Sequence, residues 1–295
     1  MTSRTNSRPV EEFAPDVLRQ YALLADGERG VLVGPRGEFA WMCAPHWDSD
    51  AVFSSLIGGG GCYAVTPTER RFVWGGYYED NSLIWHSRWV TTSGVIECRE
   101  ALAFPGDPDT AVVLRRIMAV EGAARVRVLL DARAGFGVQQ MSRLEFEDGI
   151  WTARSGGLHL RWSGGEEAKP TRGNGLELCV ELAPGAQHDL VLELSDQTLA
   201  GNPVQAAPAW KSTQIAWAAA IPQLDGTLAP RDVRHGYAVL RGLTSARGGM
   251  VAAATMSLPE RAASGRCYDY RYAWIRDQCY TGQAIAAHGP HSLLD

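Results

Sequence analysis

Short apolar runs separated by turn-forming residues dominate the chain from residue 21 to residue 199. The runs fall at 30–33, 39–42, 71–74, 82–90, 95–100, 111–120, 125–131, 158–162, 176–182 and 188–194. Strong breakers lie between them: Gly34-Pro35-Arg36-Gly37, Thr92-Ser93-Gly94, Pro105-Gly106-Asp107-Pro108, Glu147-Asp148-Gly149, Ser163-Gly164-Gly165 and Pro184-Gly185. Glycine and proline end each run after one strand's length, and about ten strands at this spacing predict a two-sheet antiparallel sandwich. Arg125-Val126-Arg127-Val128 alternates strictly, as a strand with one wet face does.

The pattern changes after Gly201-Asn202-Pro203. Residues 209–220 are alanine-rich, with Trp210 and Trp217 two helical turns apart, and Pro222 ends them. Residues 231–243 place Val233, Tyr237, Leu240 and Leu243 near a 3.6 period. An apolar segment follows at 248–258, and a last helix is expected from Arg276-Asp277 to residue 287, where Gly289-Pro290 stops it. The domain reading is an N-terminal extension (1–20), a β-sandwich (21–205), a helical linker (206–226) and the opening of a helical domain (227–295).

Composition acts mainly by exclusion. At 45 % hydrophobic and 21 % charged, a chain of 295 residues buries a core without a disulfide or metal staple. No apolar run approaches the ~18–20 residues of a membrane span. A net charge of −5 with no basic stretch argues against nucleic acid as a partner. Neither a membrane nor a nucleic-acid partner is therefore expected. The first dozen residues lack an apolar signal region. The cysteines, at 43, 62, 98, 179, 267 and 279, are far apart with no CxxC pair. Reduced, mostly buried thiols in the cytoplasm are expected.

Chemistry concentrates in Cys267-Tyr268-Asp269-Tyr270-Arg271-Tyr272-Ala273-Trp274-Ile275-Arg276-Asp277. Aromatic faces pack on the C–H face of a pyranose, carboxylates accept from paired hydroxyls, and guanidinium groups donate. The same composition also suits an aromatic-rich helix start with Asp277 as its cap and Arg276 on the surface. Cys43, His46 and Asp48 lack the second ligand pair of a metal site. The run Gly58-Gly59-Gly60-Gly61 has no following Lys-Ser/Thr, so phosphate binding is not expected. Trp74, Trp85, Trp89, Trp151 and Trp162 fall on expected strands and read as core or inter-domain packing. No cofactor is indicated.

The segment from Tyr268 to Asp277 resembles the signature W-D-Y-R-Y-x-W-x-R-D that opens the catalytic domain of glycoside hydrolase family 15, the family of glucoamylases, glucodextranases and bacterial trehalases. It matches at Asp269, Tyr270, Arg271, Tyr272, Trp274, Arg276 and Asp277, and departs at Tyr268, where Trp is usual. Ser257-Leu258-Pro259-Glu260 resembles that family's upstream S-L-P-E segment. Tyr21-Ala22-Leu23-Leu24-Ala25-Asp26-Gly27 and the stretch from Phe39 to Phe53, with Trp41, Cys43, Pro45, Asp48, Ser49, Val52 and Phe53, resemble the trehalase-like N-terminal domain.

The resemblance implies an antiparallel β super-sandwich, a helical linker and the first helices of an (α/α)6 barrel. It implies an inverting hydrolase acting on terminal α-glucosidic bonds, in trehalose or α-glucan oligosaccharides. By motif match Arg276 and Asp277 would hold hydroxyls of the terminal glucose, with Trp274 and Tyr270 as wall. Asp269, Arg271 and Tyr272 read as braces behind them, and Asp48 lies in a loop that would face the barrel. Inversion needs two carboxyls ~6.5–9.5 Å apart. In that family both come from later barrel segments, whereas after Gly226 this chain holds only Asp232, Glu260, Asp269, Asp277 and Asp295. Twelve helices of ~11 residues need ~130 helical residues, and only 70 residues run from Gly226 to Asp295. The acid and base are therefore expected beyond Asp295, the partner being the remainder of the catalytic domain, and the isolated chain is expected to be inactive. The alternative is a non-catalytic sandwich module that packs on a partner or binds carbohydrate.

Overall fold

A computed structural model describes residues 13–257, 261 and 265–294. Most of the expected N-terminal extension, and Leu258, Pro259 and Glu260 of the S-L-P-E segment, lie outside the described residues. The strands are β1 (Ala22–Ala25), β2 (Gly30–Val33), β3 (Phe39–Cys43), β4 (Ala51–Phe53), β5 (Cys62–Pro67), β6 (Val73–Tyr78), β7 (Trp85–Val90), β8 (Gly94–Leu102) and β9 (Thr110–Gly122). They continue with β10 (Ala124–Asp131), β11 (Met141–Glu147), β12 (Ile150–Ser155), β13 (Leu158–Ser163), β14 (Lys169–Pro170), β15 (Leu176–Leu182) and β16 (Gln187–Ser195). Three helices follow: α1 (Ala206–Ala220), α2 (Pro230–Leu243) and α3 (Ile275–Ala286).

Every strand pair is antiparallel, and helical geometry between residues 112 and 194 is confined to the single turn Ala134–Gly137. The sandwich is not two sheets, however. An eight-stranded sheet, β11-β12-β13-β16-β9-β8-β7-β6, faces a layer split into two four-stranded sheets, β1-β2-β3-β4 and β14-β15-β10-β5. One apolar core is shared by all three. Among the described residues the two smaller sheets are joined by one isolated bridge, Glu38 to Ala64, in which Val65 N–H donates to Gly37 O at 3.0 Å, and by Phe39 packed edge-on against Tyr63 at 5.3 Å. The turn Gly34-Pro35-Arg36-Gly37, which joins β2 to β3, comes close to β5 here: Gly37 has φ +75°, and a Cβ there would stand 2.0 Å from Val65 O.

Period-2 alternation assigns the faces of the large sheet. On β9, Ala111, Val113, Ile117 and Ala119 point into the shared core. Val112 and Leu114 point the other way, into a second apolar cluster with Trp210 and Trp217 of α1 and with Tyr237, Ala238 and Leu243 of α2. Trp217 stacks on Phe104 with centroids 3.8 Å apart, and Thr213 Oγ1 accepts from Phe104 N–H at 3.2 Å. The seven-residue Trp210–Trp217 spacing is thus the buried stripe of a helix laid on the sheet's outer face. No described helix is long and apolar enough to cross a membrane.

Arg115 occupies an inner-face position in phase with Val113 and Ile117, and is completely buried. Its cross-strand partner is Glu100 on β8, also fully buried. Nη2 donates to Glu100 Oε1 and to Gly37 O at 2.6 Å, and Nη1 donates to Tyr63 O at 2.9 Å. Glu100 Oε2 accepts from the Ser87 hydroxyl at 2.7 Å. The guanidinium lies over Phe39 and Tyr63, 4.5 and 4.6 Å from their centroids. Burial pushes the Glu100 carboxyl above its ordinary range, against the Arg115 charge and the Ser87 hydroxyl.

Other details depart from the sequence reading. Trp89 and Trp162 are core, while Trp74, Trp85 and Trp151 line its margin. Cys43, Cys62 and Cys98 are buried, but Cys179, Cys267 and Cys279 are exposed. Cys179 takes the wet face of β15 between buried Leu178 and Val180. The run Gly58-Gly59-Gly60-Gly61 is explained by backbone approach: Cβ atoms at Gly59 and Gly60 would lie 2.7 Å from the carbonyl oxygens of Phe136 and Gly137.

Breaking a buried pair by removing one partner costs about 3–5 kcal/mol, because the survivor stays buried and uncompensated. Arg115→Met is expected to lose stability on that scale, and Arg115→Met/Glu100→Gln to recover part of it. Urea unfolding of these variants and of Glu100→Gln measures this; a double-variant loss equal to the sum of the two single losses would show the two groups to be uncoupled.

Candidate functional site

The segment singled out by composition runs antiparallel to residues 250–257 as an irregular ribbon. Ala252 N–H donates to Tyr272 O, Ala253 N–H to Tyr270 O and Ser257 N–H to Tyr268 O, at 2.8–3.0 Å. The expected apolar segment at 248–258 is therefore neither helix nor regular strand in its described part, but the partner of this ribbon. In an extended chain successive side chains alternate. Asp269 and Arg271 turn toward the sandwich, and Tyr268 and Tyr270 turn away from it.

Arg271 is 6 % exposed. Asp269 receives its Nε and Nη2 at 2.7–3.3 Å, while Nη1 donates to Ser49 O at 2.6 Å and Trp47 O at 3.3 Å and touches Cys43 Sγ at 3.3 Å. Burial pushes the Cys43 thiol up to about 11, so this neighbour is neutral. Partial burial disfavours the Asp269 carboxylate, yet the hydrogen bonds and charge of Arg271 hold it below its ordinary range. Trp41 Nε1 adds a bond to Ala254 O at 2.9 Å, and Trp47 Nε1 one to Gly27 O at 2.8 Å. The loop after β3 is thereby tied to the ribbon. Asp48, in the same loop, is exposed.

On the other side Tyr268, Tyr270 and Trp274 form one aromatic cluster. Ring centroids are 6.5 Å apart for Tyr268–Tyr270, 5.7 Å for Tyr268–Trp274 and 5.4 Å for Tyr270–Trp274. Trp274 Nε1 donates to Asp269 O at 3.0 Å, which fixes the indole and leaves its carbon faces as the available surface. Arg276 stands over that indole at 5.4 Å and pairs with Asp277 at 3.0 Å. The four candidate residues, Tyr270, Trp274, Arg276 and Asp277, are thus contiguous, and Tyr272 is half exposed beside them. Asp277 is not the helix cap. Trp274 takes that position without a side-chain cap bond, and Asp277 falls inside the first turn, where its charge favours the helix dipole. Sequence reasoning missed Tyr268 as a member of the cluster and the Ser49 and Trp47 carbonyls as partners of Arg271. The Tyr-Asp-Tyr-Arg alternation held the first signal, and the second had none.

Arg271→Met removes the charge, leaving the Ser49 and Trp47 carbonyls and Asp269 without their donor, at about 1–3 kcal/mol for each unpaired buried group. Proteolysis of the 250–274 region is expected to accelerate in this variant, with Arg271→Lys restoring part of the protection. Asp269 has a depressed folded pKa, so its contribution is present above its unfolded value and lost as pH falls through the folded one. The protease difference between wild type and Asp269→Asn should therefore shrink on acidification below about pH 4. A difference that persists unchanged there would remove the ion pair from the account.

Residues 11–198 match the model described as trehalase-like, N-terminal, and residues 236–295 match glycosyl hydrolases family 15. The trehalase of Mycolicibacterium smegmatis is 27 % identical over 322 aligned positions, covering 94 % of this chain and 46 % of that protein. The Mycobacterium tuberculosis trehalase is also 27 % identical, over 94 % of this chain and 44 % of its own length. A bacterial glucoamylase crystallised with acarbose superposes with a TM-score of 0.57 at 12 % identity, over 93 % of this chain and 50 % of that one, and shares the fold. The chain spans about half the length of the curated relatives it matches. With one match covering most of the sandwich and a second following it in order, the chain belongs to the trehalase-like N-terminal family, joined to sequence of glycoside hydrolase family 15.

Proposed function

We propose that this chain carries the sandwich, the linker and the substrate-holding segment of an inverting hydrolase of terminal α-glucosidic bonds, with trehalose or α-glucan oligosaccharides as substrate. The observation that carries the reading is the contiguous Tyr270–Trp274–Arg276–Asp277 patch, half-buried except for exposed Arg276. Fixed aromatic faces adjoin a carboxylate and a guanidinium that supply an acceptor and donors for paired sugar hydroxyls. The trehalase relatives support the substrate class.

In this reading residues 21–205 are the sandwich domain, 206–226 the linker and 227–295 the start of the helical catalytic domain. Arg276 and Asp277 hold the terminal glucose, and Trp274 and Tyr270 wall it. Asp269 is spent on Arg271 and Asp277 holds substrate, so the general acid and base are assigned outside residues 1–295. The exposed free thiols at Cys179, Cys267 and Cys279 fit a reducing cytoplasm.

A hydrogen bond to a charged group is worth about 1.5–3 kcal/mol, so Asp277→Asn in the full-length enzyme is expected to lower kcat/KM by roughly one to two orders of magnitude at unchanged melting temperature. Near-normal kcat/KM in Asp277→Asn would reduce the carboxylate to its place in the helix dipole. Glucose release from trehalose or maltose by the 295-residue chain alone is expected to stay at background; release that Asp277→Asn abolishes would put a catalytic carboxyl within this segment.

A further inference from the structure

Away from the patch, a cavity of about 300 Å3 opens where the β6–β7 hairpin meets the start of α2. It shares no lining residue with the Tyr270–Asp277 patch. Three aromatic rings line it, Tyr77, Tyr78 and Trp85, and the polar end of each is already engaged. Tyr77 donates to Glu97 at 3.2 Å, Trp85 Nε1 donates to Ser87 Oγ at 3.0 Å, and Tyr78 both accepts from and donates to the Leu23 backbone at 2.7 and 3.1 Å. Tyr77 also stacks on His86 at 4.6 Å, yet keeps 43 % of its surface exposed. The rings are therefore held in place before any ligand arrives, which is what lowers the ordering cost of binding.

The polar lining is different. Asp80 and Asn81 on the hairpin, and Arg231 and Asp232 on α2, make no side-chain hydrogen bond or ion pair among the described residues. Behind them Glu79 is immobilised by Arg99 and by His86. His235, whose ring lies 4.6 Å from Tyr78, is held toward its neutral form by burial. Two free carboxylates and a carboxamide thus line the cavity with one free guanidinium, Arg234 being held by Asp225, and this small negative excess disfavours a phosphate, while no group of three His, Cys, Asp or Glu among the described residues could hold a metal ion. Fixed aromatic faces beside unpartnered acceptors and donors suit a neutral polyhydroxylated ring. The volume sits at the lower end of ligand pockets, room for about one or two pyranose units.

The geometry points to a second, non-catalytic site for a neutral saccharide at this seam, independent of the hydrolase assignment. Its ligand would touch both the sandwich hairpin and α2, so occupancy stabilises their junction by mass action.

The test titrates the 295-residue chain with trehalose and with maltotriose, followed by tryptophan fluorescence and by melting temperature. With the patch weakened by Asp277→Asn, saturable binding of at least one sugar is still expected, and adding Asp80→Ala or Arg231→Ala to that variant weakens it about tenfold, the loss of one hydrogen bond to a charged group each. Both variants alter exposed side chains, and their melting temperatures without sugar should equal the wild type's. No binding of either sugar would overturn the site, as would binding lost in Asp277→Asn and untouched by Asp80→Ala and Arg231→Ala. Tighter binding of inorganic phosphate than of either sugar would overturn the neutral ligand class.

Discussion

Arg115 is the point at which three sheets become one domain. A sandwich layer split into two smaller sheets has weak edges where they adjoin, and among the described residues one isolated bridge joins their backbones while Phe39 and Phe53 pack on Tyr63. The guanidinium reaches from β9 in the opposite layer to the two carbonyls flanking that junction, Gly37 and Tyr63. Its planar fork suits this: donors in fixed directions satisfy two backbone acceptors and one carboxylate at once, which an ammonium on a flexible stem does less well. Desolvating Arg115 and Glu100 is costly, and the Phe39 and Tyr63 faces, the Ser87 hydroxyl and the carbonyls offset it. The gain is registry as much as stability, since β3 and β5 are fixed against the same residue of β9.

From that anchor the position of the candidate patch follows by short covalent and hydrogen-bonded steps. Gly37 leads directly into β3, and β3 ends at Cys43, where the loop to β4 begins. That loop offers the Trp47 and Ser49 carbonyls to Arg271. Arg271 lies beside Tyr270 in sequence and three residues before Trp274. The sandwich therefore holds the ribbon by its inner side while the aromatic rings stay outward. The outer face of the large sheet holds the helices by a separate route. Trp210 of α1 rests against Arg99 and Arg116, and Trp217 against Phe104, so α1 is fixed on a platform of charged stems and apolar rings.

What was legible in the sequence follows the same physics. Strands with one buried and one wet face, such as β10 and β15, announce themselves by alternation, and the helices by the spacing of Trp210, Trp217, Tyr237 and Leu243. β11 and β12 lie toward an exposed end of the large sheet, where Met141-Ser142-Arg143-Leu144 offers little apolar contrast. β6 begins two residues late and runs through Gly75-Gly76, because a Cβ at Gly76 would stand 2.1 Å from the Trp85 ring. Arg115 and Glu100 read as surface residues by type, and only their phase with Val113, Ile117, Cys98 and Leu102 marks them as inward. Long-range partners left no local trace at all: nothing around Ser49 indicates that its carbonyl receives a guanidinium from 222 residues away.

The two arginines of the motif show how one composition meets two demands. Arg271 and Arg276 are five residues apart and chemically identical, so burial and partners alone separate their roles. Arg271 has a carboxylate and two carbonyls within hydrogen-bond reach and is nearly inaccessible. A sugar would have to displace buried, charge-assisted bonds to reach it, which no hydroxyl repays. Arg276 is itself exposed, with one half-buried carboxylate partner and an indole beneath it, an arrangement in which hydroxyls exchange with water at little cost. The change from extended ribbon to helix at Trp274 is what separates the two environments. Before it, alternation sends Asp269 and Arg271 inward; after it, the first turn of α3 carries Arg276 and Asp277 beside the half-buried indole. Bracing the ribbon against the sandwich uses only the first pair, which leaves the second to the proposed sugar contact.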